Sequence, residues 1–496
     1  MTRILFFGTH PKQFNGYSKV VFELCKAFST RPDYDLTIYG FQNFHTNPKH
    51  RPDIPENVHI YDAFANEMPK NIGFGITEIK EYVRMNKPDV CIIYNDMLVV
   101  SQVVSQLKQI EDPTFKIVAY IDQVYLNQKR EFIDFINKNV DVAMLFTKFW
   151  EDSIKEQGIT IPTTFLPHGF NPQAHYPIDK RIARQYFGVP QSDFVILNLN
   201  RNQPRKRWDI CLKAFAEVVS RNPTSDIKLM IATATQGAWN LLEIYERELK
   251  KRNVTMEVGM KHIILMENPQ KVTDEETNIL YNVADIGINT CDGEGFGLCN
   301  FEQGGIGIPQ ICPKLGGFVD YFDDENSIPI DPRLAYYVDN TRDTVCGEAL
   351  ICDYMDFVDA IESYYENREM LKTHGERCRA KILEEYSWGK IADKLCGVVD
   401  DLKPKPVPIV NENADLIAEI ESIDINSLNM LMASSSNVSV VMKDDEEEKI
   451  EEKVSEVEVK KEGKKKKPGV KEIKAMQQQL AALMEAFAED EDEDDD

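Results

Sequence analysis

The 496-residue sequence predicts an α/β fold of two doubly wound parallel-sheet domains followed by a charged C-terminal tail. Three observations carry this expectation. Up to about residue 170, apolar runs of strand length alternate with segments of helical period, the pattern of parallel strands covered by helices. A second series of the same kind begins after the polar, proline-bearing stretch HGFNPQAHYPID. From about Lys403 the composition changes to KPKPVPIVNEN and then to blocks of charge, which supply too little apolar surface for a core.

In the first series the runs are Ile4–Phe7, Leu36–Tyr39, Val58–Tyr61, Val90–Tyr94, Ile117–Ile121, Val142–Phe146 and Thr164–Leu166. Their continuous apolar character fits strands buried on both faces. The second series offers Phe194–Leu199, Lys228–Ala232, His262–Leu265 and Asp285–Asn289. Between its first two strands, a helix starting near Trp208 places Cys211, Phe215 and Val218 on one face, as a crossover helix should. The expected domains are therefore residues 1–170 and 171–385, with residues 404–496 as tail. Within the tail a weak apolar helix near Leu416–Leu431 precedes a Ser-rich break. A further helix over residues 471–487 would align Ile473, Met476, Leu480, Leu483, Met484 and Phe487. That face could dock on a protein partner or on the protein's own surface, or belong to a transient helix in a solvated segment.

A net charge of −25 argues against a protein that grips nucleic-acid phosphates, although much of the acid lies in the tail. The ten cysteines include no CxxC pair, and Cys91, Cys211 and Cys352 fall in or beside apolar runs, as reduced thiols do in a cytoplasmic protein. MTRILFFGTH reads as a strand and a turn rather than a signal peptide, and no apolar run reaches transmembrane length.

The stretch NTCDGEGFGLCNFEQGGIGIPQI carries the most chemistry. Gly295 and Gly297 let backbone approach a ligand. The residues after them can open a helix, near Phe296, whose N-terminal amides face an anion. Glu302 then lies under two turns along it, so Glu294 and Glu302 can face one ligand whose hydroxyls suit carboxylate acceptors. The segment resembles the signature of retaining GT-B-fold glycosyltransferases of the glycogen-synthase and sucrose-synthase-like group, also called glycosyl transferases group 1. Both glutamates, the Gly-Phe-Gly between them and the Gly-x-Pro at Gly307–Pro309 match.

The resemblance extends over nearly all of residues 1–402. It implies two Rossmann-like domains with an interdomain cleft, and a terminal helix over 386–403 that crosses back to the first domain. By it, Glu294 contacts the transferred sugar and Glu302 the ribose. Arg201 and Lys206, five residues apart in NLNRNQPRKRWD, reach the donor's diphosphate, with Arg205 and Arg207 as competing cations. Gly16, in the turn after the first strand, belongs to the glycine loop beside the diphosphate. Gly295, Phe296, Gly297 and Leu298 join it in the nucleotide site. LPHGFNP and GGFVDYF resemble two further family landmarks, with His168 structural. One position departs: where many members carry a His after a middle strand, IVAYIDQVY offers Asp122, which could hydrogen-bond the sugar or acceptor or cap the next helix.

The expected activity is transfer of a sugar from a nucleotide-diphosphate sugar to a glycan, protein or lipid acceptor with retention of configuration. It needs no cofactor and no metal, because Arg201 and Lys206 supply the positive charge. The alternatives are a GT-B nucleotide-sugar epimerase and a catalytically silent nucleotide-sugar-binding protein whose tail recruits partners.

Overall fold

The computed structural model describes residues 1–402 apart from 14, 45–50, 52–53, 69–71, 112 and 267–272. The expected tail and its helix over 471–487 lie outside the described residues. Seven parallel strands form the first sheet: β1 (Thr2–Thr9), β2 (Tyr34–Phe41), β3 (His59–Asp62), β4 (Val90–Asn95), β5 (Lys116–Ile121), β6 (Val142–Leu145) and β7 (Thr163–Phe165), in the order β3-β2-β1-β4-β5-β6-β7. Six parallel strands form the second: β8 (Phe194–Asn198), β9 (Ile227–Ala232), β10 (Ile263–Met266), β11 (Ile286–Ile288), β12 (Gln310–Pro313) and β13 (Ile328–Ile330), in the order β10-β9-β8-β11-β12-β13.

Both sheets are buried on two faces, which explains the unbroken apolar runs. Along β1, Ile4 and Phe6 enter one core while Leu5 and Phe7 enter another. Along β8, Val195 and Leu197 share the core of Ile4 and Phe6, while Phe194 and Ile196 face a third cluster with Trp208, Phe215 and Val218. The core shared by β1 and β8 thus runs continuously from one sheet to the other, and also takes in Phe296, Phe301 and Leu395. The last described helix, Trp388–Asp401, returns to the first sheet's helix Gly16–Phe28. Arg31 Nη2 meets Asp393 Oδ1 at 2.6 Å there, and the Tyr34 hydroxyl donates to Asp400 Oδ2 at 2.7 Å.

Four strands follow β11, the last strand expected from the sequence. β12 and β13 are only four and three residues long and each contains proline, so neither has the apolar length that marks a buried strand. Strands β14 (Leu334–Val338) and β15 (Gly347–Ile351) form a separate antiparallel hairpin, with Leu334, Ala335 and Tyr337 exposed. No described helix is long and apolar enough to cross a membrane.

Candidate functional site

Each sheet reverses its winding once, between β1 and β4 in the first and between β8 and β11 in the second. Loops diverge at such a point and leave a crevice beyond the carboxyl ends of the strands. The two crevices open into a single cleft of about 780 Å³. Gly16 follows β1, Asp122 follows β5, Arg201 and Lys206 follow β8, and Glu294, Phe296, Gly297, Leu298 and Glu302 follow β11; all of these line the cleft.

Gly295 stands behind the wall. A Cβ there would lie 1.9 Å from Asp122 Oδ1, so its missing side chain makes room for that carboxylate. Gly297 is needed for conformation as well as space, with φ at 83° and a would-be Cβ 2.3 Å from Phe318. It is the residue before the helix Leu298–Gly305, which therefore starts two residues later than expected. No side chain caps that helix, so its first amides remain available at the cleft.

The carboxylates of Glu294 and Glu302 are held by different sets of cations. Lys206 Nζ donates to Glu294 Oε2, and Arg205 Nη1 donates to Oε1 at 3.2 Å. Burial works to raise the Glu294 pKa, but these two cations outweigh it and hold the group at about 2. Lys19 Nζ, from the helix after β1, donates to both Glu302 oxygens at 2.9 and 3.0 Å. The Tyr281 hydroxyl donates to Glu302 Oε2 at 2.9 Å, and His175 Nε2 lies 3.3 Å from Oε1. Burial again opposes ionisation, and His175 and Lys19 overcome it to hold Glu302 at about 2.

Arg201 is exposed to the cleft, and no described residue accepts a hydrogen bond from its guanidinium. Partial burial, with Arg205 beside it, lowers its pKa below the usual arginine value. Lys206, expected beside Arg201 on one anion, instead pairs with Glu294. Arg205 joins it there.

Asp122 caps no helix, since the next one begins after Lys129. Its Oδ2 accepts the Tyr17 hydroxyl at 2.5 Å, and its buried Oδ1 has no hydrogen-bond partner among the described residues. Burial raises its pKa to about 6 against the opposing pull of Tyr17 and Arg205, with Glu294 and Asp96 adding to the rise. His168 packs among Phe146, Phe296 and Tyr120, and burial pushes it down to about 3, so it is neutral.

Lys19, Tyr17, His175 and Tyr281 were not singled out from sequence. Tyr17 directly follows Gly16 and Lys19 lies three residues after it, and that proximity was the one available signal for them.

Residues 150–395 match the family described as Family 4 Glycosyltransferase in conflict systems. D-inositol 3-phosphate glycosyltransferase 2 of Catenulispora acidiphila is 30% identical over 143 residues, 28% of this chain and 32% of that protein. The D-inositol 3-phosphate glycosyltransferase of Corynebacterium aurimucosum is 22% identical over 227 residues, 46% of this chain and 47% of its own. The chain thus spans less than half the length of either relative.

Among solved structures, sucrose-phosphate synthase from Thermosynechococcus elongatus superimposes with a TM-score of 0.62 at 15% identity, covering 81% of this chain and 99% of that one. HepE of Anabaena, in complex with UDP-glucose, gives 0.60 at 13% identity over 81% and 100%. The chain is therefore a GT-B-like protein of two parallel-sheet α/β domains whose residues 150–395 are similar to family 4 glycosyltransferases.

Proposed function

We propose that the protein is a glycosyltransferase that moves a sugar from a nucleotide-diphosphate sugar to an acceptor, with retention of configuration and without a metal ion. One observation carries the reading. Within one cleft, Glu294 and Glu302 flank the uncapped start of the helix Leu298–Gly305, with Arg201 and Lys206 on the neighbouring loop. Backbone amides at a helix start and fixed cations are what a diphosphate needs, and carboxylates are what sugar and ribose hydroxyls need.

The donor's diphosphate lies against Arg201, Lys206 and the amides that follow Gly297. Its arrival competes with Glu294 for Lys206, which frees a Glu294 oxygen to accept from the transferred sugar. Glu302, fixed by Lys19 and Tyr281, accepts from the ribose. As the bond to the diphosphate breaks, negative charge grows on the leaving oxygen, and cations already in place stabilise it without reorganisation. The acceptor hydroxyl attacks from the face the diphosphate vacates and passes its proton to that leaving group, so no protein nucleophile is required. Asp122, packed beside Gly295 in the cleft wall, serves as a hydrogen-bond acceptor for the sugar or the incoming hydroxyl.

The test incubates the protein with UDP-, GDP-, ADP- and TDP-glucose, with and without sugar, polyol and peptide acceptors, and follows nucleoside diphosphate release. Release that depends on acceptor, with an α-linked product by NMR, is expected. Interconversion of the sugar without release would mark an epimerase, and neither reaction with any donor would sink the reading.

A further inference from the structure

At the floor of the cleft, which Asn200 and Asn300 help to line, six side-chain amides form one hydrogen-bonded chain. Asn200 Nδ2 donates to Asn198 Oδ1 at 2.6 Å, and Asn289 Nδ2 donates to Asn200 Oδ1 at 3.3 Å and to Asn300 Oδ1 at 3.0 Å. Asn300 Nδ2 then donates to Gln310 Oε1 at 2.8 Å, and Gln310 Nε2 to Gln303 Oε1 at 3.1 Å. All six residues are buried, with Asn198, Asn289 and Gln310 at 0% exposure. Both ends are closed: Asn198 Nδ2 reaches Cys211 Sγ at 3.4 Å, and Gln303 Nε2 reaches the Tyr281 carbonyl at 3.3 Å.

Burying this many polar groups is unfavourable unless every link is made, so an apolar set of similar volume would serve stability as well. The surrounding fold makes room for the amides. A Cβ on Gly287 of β11 would lie 2.1 Å from Gln303 Oε1 and 2.1 Å from Gln310 Oε1.

Four of the six amides lie on or beside segments that carry a proposed donor contact. Asn200 immediately precedes Arg201. Asn289 Oδ1 accepts the Cys291 amide at 3.0 Å, at the start of the loop that leads to Glu294. Asn300 lies in the first turn of the helix Leu298–Gly305, whose opening amides face the diphosphate, and Gln303 follows Glu302. Carboxamides have one donor end and one acceptor end, so the links run outward from Asn289, which donates both ways, and shifting the segment of Asn200, Asn289 or Asn300 breaks two links at once.

We infer that this amide chain is a positioning device that sets the Arg201 loop, the Glu294 loop and the start of the helix Leu298–Gly305 in one mutual geometry. The inference rests on the donor site proposed above for its consequence, but not for its existence. Asn289 and Asn300 are positioning residues: neither needs to touch the donor for its loss to misplace those that do.

The experiment uses Asn289→Leu and Asn300→Asp in the full-length protein, with hydrogen exchange of backbone amides and calorimetry with UDP and UDP-glucose. The Asn289→Leu change removes both central links. Exchange should rise at least tenfold in residues 199–207 and 289–300, while β1, β4 and β5 keep their protection. Affinity for the nucleotide that the wild type binds should fall roughly ten- to a hundredfold, the size of loss that follows a misplacement of about 1 Å.

Asn300→Asp keeps the shape but, when ionised, sets an acceptor against Gln310 Oε1. Protonation restores a donor there. Loop protection in that variant should therefore recover as the pH is lowered from 8 to 5, which a simple packing defect would not do. If Asn289→Leu does not fold, Asn300→Asp alone decides the matter through this recovery. Unchanged exchange in both loops, or pH-independent loss in Asn300→Asp, overturns the inference. A wild type that binds neither nucleotide would count against the donor reading, and the exchange data would still judge the amide chain.

Discussion

Lys19 Nζ sits 2.9 and 3.0 Å from the two oxygens of Glu302, a contact between residues 283 apart that joins the first sheet's leading helix to the second sheet's cleft helix. Lys19 also lies 3.8 Å from Asp274, which Arg51 holds at 3.0 Å, so the seam beside the cleft is ionic. Removing one partner of a largely buried pair leaves the other charge poorly solvated. Lys19→Met should lower stability in urea by about 2 kcal/mol at pH 7, because Tyr281 and His175 still compensate part of the Glu302 charge. Lys19→Arg should recover at least half of it. A Lys19→Met variant as stable as the wild type would mean the contact contributes nothing across the seam.

A second tie fixes the loop before Glu294. Arg342 Nη2 donates to both oxygens of Asp292, at 2.5 and 2.7 Å, and Asp292 is buried to 1% exposure. The Leu350 amide donates to the Asp292 carbonyl at 3.0 Å, while Leu126 and Glu348 exchange backbone hydrogen bonds at 3.1 and 2.6 Å. The hairpin β14–β15 thus clasps the Glu294 loop on one side and the chain leading from Asp122 on the other. Arg342→Leu should cost about 3 kcal/mol, the scale of breaking a buried ion pair. Limited proteolysis should then cut within residues 334–351 well before the sheets. Cleavage elsewhere first would show that the hairpin does not depend on this pair.

Separating the two glutamates tests the donor site directly. Glu302→Ala should weaken UDP and UDP-glucose equally, by about 1.5–3 kcal/mol or roughly tenfold to over a hundredfold. Glu294→Ala should weaken UDP-glucose while leaving UDP unchanged or tighter, because Lys206 and Arg205 lose the carboxylate that occupies them. Calorimetry on both variants reads the ratio. Equal, negligible effects with the fold intact by circular dichroism would remove the carboxylates from the donor site.

The two glutamates were legible because they lie in one short segment, where glycine spacing and helix period are local properties. Lys19 was not, since its meeting with Glu302 depends on how two sheets pack and no local pattern encodes that. Arg205 and Lys206 were visible as cations, yet that both reach Glu294 while Arg201 does not is a matter of backbone direction through the turn Pro204–Lys206. Most of the parallel strands announced themselves as apolar runs, whereas β12 and β13 were too short and proline-bearing to do so. The hairpin did not, because Leu334, Ala335 and Tyr337 face solvent and break the alternation a half-buried strand would show.

Among the described residues, no group of three or more His, Cys, Asp or Glu side chains could hold a metal ion. On the proposed placement of the diphosphate against Arg201 and Lys206, turnover should be unchanged in EDTA. Loss of activity restored by magnesium or manganese would require a different account of how the leaving charge is stabilised.

Asp122 supplies a test that needs no substrate. Its folded pKa of about 6 lies above the ordinary 3.8, so the folded protein holds this proton more tightly than the unfolded chain does. Well below pH 3.8 both states are protonated at this group and it costs nothing. Between pH 4 and 6 the unfolded chain ionises first, and the folded state loses relative stability until Asp122 ionises too. Above pH 6 the penalty is constant, about 2–3 kcal/mol at ~1.4 kcal/mol per pKa unit. Asn at this position keeps the acceptor for Tyr17 and carries no charge. Asp122→Asn should therefore lie closest to the wild type in thermal stability at pH 4 and exceed it increasingly up to about pH 6.5. Glu294 and Glu302, held at about 2, act in the opposite sense and lose their contribution as the pH falls, but they do so in both proteins and cancel from the difference. Melting curves for the pair across pH 4 to 8 decide it: parallel profiles would mean that Asp122 ionises normally in the fold, and that the space made by Gly295 shelters an ordinary carboxylate.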